Sequence, residues 1–115
     1  MITTEAAKYL WDARTAAQRI IRFIGDRDYD GYMADDLIQA AVERQFEIIG
    51  EALAGLRRMA PAIAETIPDI SQIIAFRNVL IHSYATVDVT LVWGVIENDL
   101  PTLTSAIDRL LGQAP

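Results

Sequence analysis

The stretch ADDLIQAAVERQFEIIGEALAGLRRM, residues 34–59, decides the fold class. Leu37, Ala41, Ile48, Ala52, Leu53 and Leu56 recur at the three- and four-residue steps that line one face of a helix. Asp35 is placed to cap the start and Pro61 cannot continue the helix, so one long helix is predicted from about Ala34 to Met59. Upstream, Leu10, Ala13, Ala17, Ile20, Ile21 and Ile24 predict a first helix from Thr4 to Gly25, capped by Thr3 or Thr4. The polar run Asp26-Arg27-Asp28-Tyr29-Asp30-Gly31 between the two reads as a turn-rich loop. Downstream, residues 62–67 fit one or two helical turns between Pro61 and Pro68, and Asp69 is placed to cap a third helix. Ala85-Thr86-Val87 is a brief connection. Asp88 then caps a last helical region through Leu91, Trp93, Val95, Ile96, Leu100, Leu103, Ile107 and Leu110, which Pro101 should kink or split. There is no strand alternation, glycine-rich phosphate loop or repeat. The expectation is an all-α, small antiparallel four- to five-helix bundle, one domain over residues 1–115.

Composition narrows the functional classes. With 115 residues, 52% of them hydrophobic, the chain is long and apolar enough to build a core. No apolar run approaches the roughly 20 residues of a bilayer span, and Met1-Ile2-Thr3-Thr4-Glu5 does not open a signal peptide. Zero cysteines remove disulfides, thiolate nucleophiles and thiolate metal sites, and a cytoplasmic location is the simplest expectation. The net charge of −6 argues against binding nucleic acid through a broadly basic surface. Any contact with RNA must come from a local arginine cluster, a dimer groove or a partner.

The third helix carries Arg77-Asn78-Val79-Leu80-Ile81-His82-Ser83-Tyr84, which holds the only histidine. A permanent cation with a bidentate fork, an amide, a group of the type that titrates near neutrality and a phenol suit chemistry on a phosphodiester. At about 100° per residue, Arg77 and Tyr84 project within about 20° of each other, while Asn78 and His82 share a strip roughly 100–140° away. A straight helix does not aim all four at one point. Either the helix ends near His82 and the chain bends back, or a second chain completes the site. Metal-free RNA cleavage needs one group to deprotonate the 2′-hydroxyl and another to protonate the 5′-oxygen, which two histidines in a symmetric dimer could share. Each residue also has a plain structural reading: a surface histidine, a solvated arginine ion pair and a tyrosine ring anchoring the bundle.

The octet resembles the signature of HEPN-domain ribonucleases, in particular the HepT-type toxins of prokaryotic toxin–antitoxin pairs. Residues 41–52, AVERQFEIIGEA, look like that family's second helix, and the Trp93-x-x-Ile96-x-Asn98-Asp99-Leu100-Pro101-x-Leu103 pattern looks like its final helices. The resemblance implies a homodimer with two R-x4-H-x-Y motifs facing a shared cleft, and metal-independent endoribonuclease activity without a cofactor. Carried over residue by residue, Arg77 binds the scissile phosphate, His82 is the acid/base, and Asn78 orients the histidine or the substrate. Tyr84 matches the tyrosine that a nucleotidyltransferase antitoxin of the MntA type modifies with AMP. The implied partners are that antitoxin, a second copy and an RNA substrate, with neither DNA nor a membrane. Ser83 and Ala85-Thr86 depart from the family pattern, outside the triplet Arg77, His82 and Tyr84. A second expectation, from a different class, is a non-catalytic helical subunit that binds a nucleotidyltransferase or its nucleotide.

Glu43, Glu47 and Glu51 share a ridge of the second helix, but one histidine without Glu-x-x-His spacing does not make a di-iron site. Glu51, or else Glu47, is expected to contact the third helix and orient Arg77 or His82. Glu51 is favoured because it stands among Ile48, Ile49, Ala52 and Leu53, where an unpaired carboxylate is costly. Arg44 could pair with Glu47 or line a dimer groove. Arg57 and Arg58 suit a helix C-terminus, with RNA contact as the other reading. Asp26, Asp28 and Asp30 begin like a calcium loop, but Leu37 stands where the terminal ligand belongs. Trp11 and Trp93 are expected in the core or at a dimer seam.

Overall fold

The computed structural model describes residues 2–82 and 87–113, and they are helical without a strand among them. Helix α1 spans Thr4–Ile24. Thr3 caps it, its Oγ1 accepting from the Ala6 N–H at 3.1 Å, and Gly25 closes it at φ +58° with its N–H on the Ile21 carbonyl. Ala6, Ala13, Ala16 and Ala17 are buried along its inner face, so α3, Asp36–Met59, approaches closely. Gly55 of α3 takes the Tyr9 ring directly; a Cβ there would sit 2.8 Å from Cζ. Asp35 caps α3 by accepting from the Ile38 N–H at 3.1 Å.

Several sequence expectations change here. The segment expected as a loop contains a short helix, α2 at Tyr29–Met33, because the Asp28 carboxylate accepts from the Gly31 N–H at 2.9 Å and organises one turn. Leu37, expected in the buried stripe, is 76% exposed at the first turn of α3. Ile21 is also exposed, since it projects about 100° around α1 from buried Ile20. Trp11 is not in the core: it is 52% exposed, with the Arg14 guanidinium 4.9 Å over its ring. Trp93 does pack inside, with its ring centroid 5.3 Å from Tyr32 and 6.4 Å from Tyr29.

After α3, Ala60 leaves helical geometry and Pro61 starts the single turn α4, Pro61–Ala64, where its missing N–H costs nothing. Helix α5 spans Ile70–His82 and runs back antiparallel along α3. The Phe46 and Phe76 rings meet edge to face at 5.3 Å across that seam. Asp69 enters α5 at φ +59°, and its carbonyl, rather than a side-chain oxygen, accepts from the Ile73 N–H. Asp88 caps α6, Val89–Gly94, by accepting from the Thr90 and Leu91 N–H groups. The last region is divided just before Pro101, as the proline led one to expect, though not by a simple break. The chain instead widens into a π-helical turn at Val95–Asp99 before α7, Leu100–Leu111, and the Leu100 N–H reaches the Val95 carbonyl five residues back. That wider turn absorbs the N–H that proline lacks and the crowding its ring causes. Helix α7 packs on α1, where Arg14 and Asp108 pair at 3.3 Å. No helix among the described residues is long and apolar enough to cross a membrane.

Candidate active site

The α3–α5 seam places Arg77. Its aliphatic stem lies across the backbone of α3 at Gly50, where a Cβ would collide with the Arg77 Cβ and stand 3.0 Å from its Cγ. A glycine inside a 24-residue helix costs about 1 kcal/mol against alanine, and this contact is what the position gains in return. Beyond the stem, the guanidinium is fully directed. Its NH1 donates to Glu51 Oε2 at 2.7 Å, while Nε and NH2 both donate to Asn78 Oδ1 at 3.1 and 2.8 Å. Three of the five N–H groups are thereby engaged, leaving two for an incoming anion.

The pair with Glu51 was expected, but not for the reason of burial. The Glu51 side chain is 69% exposed, whereas Arg77 is only 19% exposed. Glu51 therefore does not need a partner to stay folded; it reaches in to orient a cation that is half covered. Such a pair contributes about 0–1 kcal/mol, so a phosphate can displace the carboxylate cheaply. Glu47 does not contact α5 through any ion pair among the described residues. It pairs with Arg44, three residues back on its own helix, at 3.4 Å.

His82 is exposed and is the last described residue of α5. Among the described residues Asn78 makes no hydrogen bond to His82; its Oδ1 accepts from Arg77. Tyr84 and the departures at 83, 85 and 86 lie outside the described residues. Among the described residues, no cluster of three or more His, Asp or Glu is placed to hold a metal ion.

Residues 13–110 match the family model described as ribonuclease HepT-like. The chain belongs to the HepT-like ribonuclease family. A provisionally named RNase of Methanocaldococcus jannaschii is 30% identical over 110 residues, covering 94% of this chain and 98% of its own length. A provisionally named ribonuclease HepT of Thermococcus cleftensis is 31% identical over 102 residues, covering 89% and 92%. No solved structure matches the chain.

Within this HepT-like domain, Gly50 is the positioning residue that sequence reasoning passed over; its one signal was a glycine inside a long, otherwise regular helix. Gly50→Ala should gain helix propensity but lose more to the collision, because the obstructing atom is the Arg77 Cβ rather than a flexible tip. Urea unfolding is expected to show a net loss of about 1–2 kcal/mol. A variant as stable as the parent would remove the Gly50–Arg77 contact from the account.

Glu43, one turn before Glu47, carries a carboxyl pushed above its ordinary 4.5, first by burial and then by the Glu47 charge. The protonated form is favoured in the folded state. Its contribution to stability is complete below about pH 4.5 and is lost as pH rises through the raised value. Glu43→Gln should therefore melt higher than the parent at neutral pH, and the two melting temperatures should converge in acid. A difference that does not change with pH would contradict the burial argument.

Proposed function

We propose that this chain is the toxin of a toxin–antitoxin pair: a metal-independent endoribonuclease that acts as a homodimer and is silenced by a nucleotidyltransferase that transfers AMP to Tyr84. The observation that carries the reading is the guanidinium of Arg77, oriented by Glu51 and Asn78 on the same helix as exposed His82. Family membership supplies the reaction class.

The chemistry assigned to these groups is transesterification. Arg77 grips a non-bridging phosphate oxygen. One imidazole takes the proton from the 2′-hydroxyl, the 2′-oxygen bonds to phosphorus, and the 5′-oxygen leaves with a proton from a second imidazole. The products are a 2′,3′-cyclic phosphate and a free 5′-hydroxyl. Arg77 and His82 are five residues apart, about 140° around α5, so the two diverge on one chain and a second copy supplies the missing partner. A face for that copy lies along α5. Val79 and Leu91 are each about half exposed and line an apolar groove of about 310 Å³ between α5 and the α6–π turn. AMP on the Tyr84 phenol, two residues beyond His82, adds negative charge where the RNA phosphate must sit.

The test is incubation of purified protein with RNA in excess EDTA, with His82→Ala alongside. Cleavage by the parent alone, leaving cyclic phosphate ends, supports the reading. Absence of cleavage by both, with no growth arrest on expression, sinks it in favour of a non-catalytic subunit that binds a nucleotidyltransferase.

A further inference from the structure

The charges that the Arg77 site leaves unused gather in one place. Helices α1 and α3 are separated on their outer side by an open groove of about 630 Å³, and Glu51, the carboxylate holding Arg77, forms part of its wall. Although the chain is net acidic, three of its ten basic residues, Arg19, Arg44 and Arg58, line this groove. Arg44, Glu51 and Arg58 fall at seven-residue intervals, which keeps them within about 40° of one another on α3. Each arginine therefore stands about 10.5 Å along the helix from Glu51, one on either side. Arg19, on α1, lines the same groove. Arg19 and Arg58 make no ion pair among the described residues, and both are exposed.

We infer that this groove is the track of the single-stranded RNA on either side of the phosphate held at Arg77, with Arg19, Arg44 and Arg58 taking flanking phosphates. The inference rests on the ribonuclease reading and extends it to the substrate path. The span of about 21 Å from Arg44 to Arg58 suits a short single strand, at the lower end of known site sizes of about four nucleotides. The half-buried Tyr9 ring lines the same groove and offers a face on which a base can stack. Asp12, Glu47 and Glu51 line the groove as well, three carboxylates beside the three guanidiniums, and Glu47 holds Arg44 at 3.4 Å until a phosphate takes its place. A flexible strand can set its phosphates on the cations and its bases elsewhere, whereas a rigid duplex cannot. This also reconciles an RNA substrate with a net charge of −6: the cations are few, but they are placed along one line from the site.

The test titrates a fluorescent oligouridylate of about ten nucleotides against the His82→Ala protein at several salt concentrations, read by anisotropy. Arg19→Ala, Arg44→Ala and Arg58→Ala are each expected to weaken binding about two- to fivefold, the range for exposed ion pairs. The triple variant should lower the salt slope by about 2, from about 0.7 per lost phosphate contact. Melting and sedimentation of each variant accompany the titration. If Arg77→Ala weakens binding while the triple variant keeps the parent's affinity and slope, the groove assignment falls and the ribonuclease reading stands. Weakening that follows a loss of the dimer also overturns it. If the His82→Ala protein does not bind the oligonucleotide at any salt, the track is wrong; if the parent then fails to cleave RNA as well, both readings fall.

Discussion

His82→Ala is expected to lower RNA cleavage by about 10²–10⁴-fold while leaving the melting temperature close to the parent's. Both halves follow from position. The imidazole is the only one in the chain, and it is exposed at the last described residue of α5, so its loss removes acid/base chemistry without opening a cavity. In a dimer that uses one histidine for each proton transfer, parent mixed with an excess of His82→Ala should lose most of its activity, because most parent chains then sit in mixed dimers. The decisive readings are product formation in EDTA and growth after induction without any partner gene. A His82→Ala protein that still cleaves at the parent's rate places the proton transfers elsewhere.

Arg77→Lys is the second large expected loss, about 10²–10³-fold in cleavage, comparable to removing one transition-state hydrogen-bond donor elsewhere. Lysine keeps the aliphatic stem that packs on Gly50, so the α3–α5 seam should hold. It keeps the charge too. What it cannot reproduce is the planar fork that simultaneously meets Glu51 and both contacts to Asn78. The ammonium is a point charge free to settle on Glu51 alone. Because Glu51, the partner of the pair, is 69% exposed, urea unfolding should change by no more than about 1 kcal/mol. Separating kcat from KM makes the result specific: a fork that aims the phosphate affects kcat, whereas simple charge attraction would appear in KM. Full activity in Arg77→Lys would show that charge alone suffices and that the Asn78 contacts are incidental.

The bundle was legible in the sequence because helix periodicity is local. The stripes at Leu10, Ala13, Ala17, Ile20 and Ile24 and at Leu53 and Leu56 are buried as the spacing required, and Thr3, Asp35 and Asp88 cap as their types predict. Errors arose where a local signal met a tertiary one. Asp28 turned a loop into a helical turn through one side-chain contact, and Leu37 had the right residue type but no neighbour to cover it. Pro101 was a correct sign of irregularity whose form, a wide turn before it, depended on keeping Leu103 and Ile107 against α1.

The site divides along the same line. Sequence by itself determined the residue types, their spacing on α5 and the all-α class, since these depend on chemistry and on the 3.6-residue period. It also singled out Glu51 as a partner for the third helix. Only the tertiary structure decided that Gly50 is the floor under Arg77, that Asn78 closes on Arg77 rather than His82, and that Glu47 stays with Arg44. It alone placed Arg19 and Arg58 in one groove although they are thirty-nine positions apart. The physical reason is range. Periodicity and capping act within a few residues, whereas a guanidinium fork is aimed by whichever groups packing brings within hydrogen-bond distance, and packing joins residues the chain keeps far apart.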